Sequence, residues 1–202
     1  MTVADDFSAV APFEIRCPAE QRVPFVFNSP HSGRHYPERF LCMARLDRIE
    51  TVYKPYHEQL KRLVMRTHAR FGFAVLVDCH SMPASIRVGE NGVRPDFIVG
   101  DRFGASASPA LTEHAIGLLV AMGYAVAHNK PYAGGFITEH YGRPARGLHT
   151  LQIEINRGLY MNERTLQKSA GFDALADDLA RFITDLMALP EHHFYGLPLA
   201  AE

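Results

Sequence analysis

The chain has 202 residues, 47% hydrophobic and 21% charged, with a net charge of −1 when the histidines are neutral. That length supports one sizeable core, read as a single domain over residues 1–202, and the balanced charge gives no drive toward nucleic acid or an anionic membrane surface. No apolar stretch approaches the ~20 residues that span a bilayer, residues 1–11 lack the basic and apolar regions of a secretory signal, and three scattered cysteines form neither a disulfide framework nor a thiolate zinc site, so a reduced, cytoplasmic protein is expected.

Residues 1–20 read as irregular. A first apolar run, from Val23 to Phe27, predicts a strand that ends on Asn28-Ser29-Pro30-His31-Ser32-Gly33. Over residues 55–70, Tyr56, Leu60, Leu63, Val64 and Thr67 recur at helical spacing, and Gly72 ends the helix. A second apolar run follows at once and leads into Asp78-Cys79-His80-Ser81. Strand, helix and strand in this order predict a parallel crossover. Residues 84–95, with Gly89, Asn91, Gly92 and Pro95, read as a loop, and residues 96–100 as a short strand. Ser108 and Pro109 have the residue types of a helix cap and first helical position. Leu111, Ala115, Leu118, Leu119 and Met122 form that helix's apolar face, and Gly123 stops it. A strand over 124–128, a glycine-rich loop over 133–147 and a strand over 148–156 come next. A final helix carries Phe172, Leu175, Leu179, Phe182, Ile183 and Leu186 and stops at Pro190. Strands alternating with helices predict a three-layer α/β fold with a mixed, largely parallel central sheet.

Ligands in open α/β sheets sit outside the carboxyl ends of the strands. His31 and His80 each follow an apolar strand and so could share a metal or a substrate. Neutral imidazole is a common zinc ligand, and zinc hydrolases keep three protein ligands and one open position. Along 148–156, Leu151, Ile153 and Ile155 point one way while Thr150, Gln152, Glu154 and Asn156 point the other. That alternation fits an edge strand with a wet face. It fits equally a carboxylate, Glu154, facing the same pocket as the histidines and acting there as general base. His31 alone could bond to backbone in a turn, and Asp78 with His80 could be a structural pair.

The chain resembles the N-formylglutamate amidohydrolase family, which is related to zinc carboxypeptidases and aspartoacylases. The resemblance rests on Pro30-His31-Ser32-Gly33, Tyr53-Lys54-Pro55-Tyr56-His57, Asp78-Cys79-His80-Ser81 and Pro95-Asp96-Phe97-Ile98-Val99-Gly100-Asp101. It continues through Gly134-Gly135-Phe136-Ile137-Thr138-Glu139-His140-Tyr141-Gly142-Arg143-Pro144, then His149-Thr150-Leu151-Gln152-Ile153-Glu154, and ends at Tyr160-Met161. It implies a phosphorylase/hydrolase-like fold and hydrolysis of an amide in an N-acyl, N-formyl-like derivative of an acidic amino acid. It implies one divalent ion, zinc, on His31 and His80; the third ligand is unassigned, with His57 and Glu50 as candidates, and His57 could instead be a helix histidine covering the sheet. It makes Glu154 the base, with His140 or Arg143 steadying the oxyanion. Ser32, Asp101, Arg102, Gly134, Gly135 and Tyr141 become substrate contacts.

Two departures stand out. The carboxypeptidase relatives use a His-x-x-Glu pair, and here Arg34 occupies the fourth position. The Asp-x-Asn-Arg segment of longer family members is absent, leaving Arg87, Arg102, Arg143 and Arg146 to meet a substrate carboxylate. Two other readings stay open: a carboxypeptidase-like or other acyl-amino-acid hydrolase, and a non-catalytic ligand-binding member of the family. The expected partner is a small acidic amide, with no nucleic acid and no membrane; a homo-oligomer is left open.

Overall fold

The computed structural model describes residues 13–30, 45–89 and 92–194. The strands are β1 (Phe25–Asn28), β2 (Ala74–Met82), β3 (Phe97–Gly100), β4 (Val126–His128) and β5 (Leu148–Asn156). The α-helices are α1 (Arg45–Arg48), α2 (Lys54–Phe71), α3 (Pro109–Ala121), α4 (Phe136–Tyr141) and α5 (Phe172–Met187). A π-helical turn, Ile49–Tyr53, joins α1 to α2. None of the described helices is long and apolar enough to cross a membrane.

The five strands form one sheet in the order β1-β2-β5-β3-β4. β1, β2 and β5 are parallel, β3 runs antiparallel to β5, and β4 is parallel to β3. The α/β fold with a mixed, largely parallel sheet is therefore present. The strand over 148–156 is not an edge strand, however. It lies at the centre, and its polar side is buried: Thr150, Gln152, Glu154 and Asn156 are each at most 7% exposed. Gln152, Glu154 and Asn156 meet hydrogen-bond partners within the protein, whereas Thr150 Oγ1 is buried without one among the described residues.

Local sequence explains the main joints. Ser108 accepts the N–H of Leu111 at 3.4 Å and Pro109 opens α3. Gly72 adopts φ 81°, donates its N–H to the His68 carbonyl, and turns the chain from α2 directly into β2. One face of the sheet, with Phe25, Val75, Val77, Val99, Leu151 and Ile153, packs against Leu111, Ala115 and Leu119 of α3 and Leu175, Phe182 and Leu186 of α5. Each valine, leucine, isoleucine or phenylalanine among these, fully buried, stabilises the fold by about 1.5–3 kcal/mol. The other face places Leu76 against Leu60 and Val64 of α2 and Ile137 and Tyr141 of α4. Helix α4 lies where the glycine-rich composition of 133–147 predicts a loop. Its six residues are bracketed by Gly135 and Gly142, which mask so short a helical segment.

Candidate active site

The register of the parallel strands builds the site. Asn28, Asp78 and Gln152 stand in one row across β1, β2 and β5, and His80 pairs with Glu154 two residues further along. Residues two apart on a strand share a face, so all five lie on the side covered by α2 and α4. Asp78 holds the centre. Its Oδ1 accepts from Asn28 Nδ2 at 2.6 Å, and its Oδ2 lies 2.9 Å from His80 Nε2. Tyr56 of α2 donates its hydroxyl to Asn28 Oδ1 at 2.6 Å. On the other flank, Gln152 Nε2 donates to Glu154 Oε1 at 2.9 Å, while Gln152 Oε1 accepts the Gly135 N–H at 2.8 Å.

These contacts set the charges. The hydrogen bond to Asp78 raises the His80 pKa against the opposing effect of burial. Burial pushes the Glu154 carboxyl up, countered in part by the His80 charge and the Gln152 hydrogen bond. A carboxyl whose pKa is raised by burial is suited to taking and returning a proton. Asn28, Tyr56, His57, Asp78, His80 and Gln152 all line one open cleft of about 2200 Å³. It is larger than the 300–1,000 Å³ of an ordinary ligand pocket, because it runs outward along α2 and the irregular segment preceding β1.

The remaining expected site residues are dispersed. His31 and Ser32 lie outside the described residues. Glu50 is exposed and paired with Lys54 at 2.5 Å. His57 places Nδ1 2.9 Å from the Tyr141 hydroxyl, which itself donates to the His57 carbonyl at 3.0 Å. Burial and the nearby His140 lower the His57 pKa, and burial pushes the Tyr141 phenol up to about 12. His140 is exposed and stacks on Phe136 at 4.9 Å. Arg143 donates to the carbonyls of Glu139 and Gly142, so its guanidinium is committed to the end of α4.

Asp101, expected as a substrate contact, does not join His80 and Glu154. β3 is antiparallel, and Gly100 already pairs with Gln152, so the chain leaves β3 away from the end of β5 that carries Glu154. Asp101 instead binds Asn129 Nδ2, the Gly104 N–H and Thr112 Oγ1 on the α3 side. Arg102 is turned toward Glu139, at 3.2 Å, and the Gly134 carbonyl. Gly134 and Gly135 do reach the sheet. A Cβ on Gly100 would lie 2.7 Å from the Ala133 carbonyl carbon, and one on Gly134 would clash with Thr138 Oγ1. Glycine at 100 lets this segment lie against β3, and glycine at 134 lets it turn closely into α4.

Among the described residues, no three imidazole, thiol or carboxylate side chains gather closely enough to hold a metal ion. His80 has the chemistry of a ligand, an imidazole with a carboxylate behind it. His31, the other expected ligand, lies outside the described residues.

Asn28, Tyr56 and Gln152 are members of the network that sequence reading did not assign. The alternation on β5 already placed Gln152 beside Glu154. Asn28 and Tyr56 gave no local signal, because their partners are set by register across the sheet.

The model for N-formylglutamate amidohydrolase matches residues 42–161. The chain is 40% identical over 116 residues to an N-formylglutamate deformylase of Pseudomonas putida, covering 57% of this chain and 43% of that one. It is 36% identical over 121 residues to an N-formylglutamate deformylase of Pseudomonas aeruginosa, covering 59% and 46%. The matches thus span less than half the length of these curated relatives. Among solved structures, an N-formylglutamate amidohydrolase from Ralstonia eutropha JMP134 superposes with a TM-score of 0.64 at 36% identity, covering 70% of this chain and 51% of that one. A gene product of Agrobacterium tumefaciens superposes with a TM-score of 0.51 at 18% identity, covering 71% and 54%, a likeness of fold alone.

Proposed function

The chain belongs to the N-formylglutamate amidohydrolase family, and on that premise we propose that it hydrolyses the amide bond of an N-acyl, N-formyl-like derivative of an acidic amino acid. The observation that supports this most is the pairing of His80, backed by Asp78, with the buried Glu154 across the β2–β5 ladder. A divalent ion, zinc in this reading, would be held by His31 and His80. When bound, such an ion supplies Lewis acidity to the scissile carbonyl and lowers the pKa of water toward ~7.

The chain's own residues do the rest. Glu154 Oε takes a proton from the attacking water as its oxygen bonds to the carbonyl carbon. Glu154 then passes that proton to the amide nitrogen as the carbon–nitrogen bond breaks, releasing the acid and the free amine. Gln152 holds one Glu154 oxygen, which directs the other toward the reaction. The breadth of the cleft favours a second reading, a larger acyl-amino acid as substrate.

A screen of formyl-, acetyl- and succinyl-amino acids, with and without added zinc, tests both readings. Turnover of formyl-glutamate or formyl-aspartate supports the first, and preference for bulkier acyl groups supports the second. No turnover of any amide refutes hydrolysis. His31→Ala and His80→Ala should each abolish metal retention in folded protein; parental metal content in either would contradict the ligand assignment.

A further inference from the structure

The Tyr53-Lys54-Pro55-Tyr56-His57 segment is tied into the Asp78 network through Tyr56. The hydrogen bonds from Tyr56 to His80 have one consistent direction. The Asp78 carboxylate only accepts, so the Asn28 amide must present its NH₂ to Asp78 and its carbonyl oxygen to Tyr56. Burial pushes the Tyr56 phenol up to about 12, so its hydroxyl remains a donor throughout the neutral range. Each Asp78 oxygen then receives one donor, Asn28 Nδ2 on Oδ1 and His80 Nε2–H on Oδ2. Asn28 is 8% exposed and Asp78 1%, so both groups satisfy these bonds largely within the protein.

We propose that Asn28 and Tyr56 are positioning residues that, by fixing the Asp78 carboxylate, set the ring orientation and the protonated nitrogen of His80. The proposal rests on the hydrolase reading for its kinetic consequence and on the geometry alone for its structural one. A carboxylate held from one side by an amide cannot rotate to meet a tilted imidazole, so the imidazole must settle into the carboxylate's fixed plane. The ring proton facing Asp78 is then held on Nε2. Helix α2 contributes through one hydroxyl, so the seat of His80 depends on the docking of a helix that carries none of the reacting groups.

The test uses Tyr56→Phe, which keeps the ring in place, and Asn28→Ala, with three readouts on the full chain. Removing support of this kind costs about 10–100-fold. The expected outcome is a kcat lowered within that range in Asn28→Ala and by less in Tyr56→Phe, with KM nearly unchanged. The His80 ring-nitrogen resonances, assigned with His80→Asn and followed in ¹⁵N-labelled protein, should shift in both variants. The thermal midpoint of Tyr56→Phe should stay close to the parent. Unmoved His80 resonances overturn the proposal, and so does an unchanged kcat where the parent turns over substrate. A lowered thermal midpoint with the other two readouts unmoved assigns Tyr56 a purely structural role and also overturns it. A parent inactive on every amide refutes the hydrolase reading alone, because the His80 resonances still decide whether Asn28 and Tyr56 position the ring. If Asn28→Ala fails to fold, Tyr56→Phe decides.

Discussion

The two faces of the sheet are built from the same strands and serve different ends. Under α3 and α5 the face is apolar from Phe25 across Val77 and Leu151 to Val99. Under α2 and α4 it is apolar through Val26, Ala74, Leu76 and Leu148, then becomes a polar row of Asn28, Asp78 and Gln152 followed by His80 and Glu154. The first face gains stability from close packing. The second gives up part of that gain to hold polar groups out of water, at a cost their mutual hydrogen bonds offset. Strand alternation makes this division possible: neighbouring residues on β5, such as Ile153 and Glu154, belong to different tasks.

The contrast can be broken from either side. The largest effect should come from Phe182→Ala, which empties a side chain 2% exposed beneath α5. It should cost about 3–5 kcal/mol, read as a lower denaturant midpoint, while turnover per folded molecule stays near the parent value. A large loss of turnover in the folded fraction would show that the two faces are not separable.

Next is Glu154→Gln, which keeps shape and removes charge. Turnover should fall ~10²-fold or more, with stability equal to the parent or slightly higher, since the folded state already disfavours the charged carboxyl. Parental turnover would reduce Glu154 to a polar strand residue.

The smallest effect concerns His149, a polar side chain set into the apolar face. Its Nδ1 accepts the Ser108 N–H at 3.1 Å and its Nε2–H donates to the Phe194 carbonyl at 3.0 Å. Burial holds its pKa below the usual value, against a smaller opposing effect of the Phe194 hydrogen bond. The unfolded chain therefore takes up a proton that the folded chain refuses. The stability this neutral histidine contributes is complete above about pH 6.5 and is lost as pH falls through that value toward the lower folded pKa. Thermal midpoints measured from pH 7.5 to 5 should show this loss, and His149→Gln should flatten that part of the curve. An unchanged curve in the variant would remove His149 from the account.

Much of the architecture was legible because it depends on local signals. The apolar runs of β1 and β2, the Ser108-Pro109 start of α3, the Gly72 stop of α2 and the alternation on β5 are each contained within a few residues. The direction of β3 is not encoded in its own four residues, so Asp101, expected to meet substrate, lies on the α3 side instead. Helix α4 was hidden by its flanking glycines. In the site, His80 and Glu154 could be singled out from their strands. Asn28 and Tyr56 could not, since the first needs the pairing of β1 with β2 and the second the seating of α2.

The glycine-rich stretch that precedes α4 has a consequence for motion. Glycine there reads as slack, yet Gly100 brings the Ala133 backbone against the sheet too closely for any methyl group. The segment is further tied by the Arg102 N–H to the Ala133 carbonyl at 2.7 Å and by the Gly135 N–H to Gln152. Lifting it to admit a molecule would sever both bonds together, so this stretch is a fixed wall rather than a flap. Amide exchange at Arg102 and Gly135 should accordingly be as slow as in the central strands.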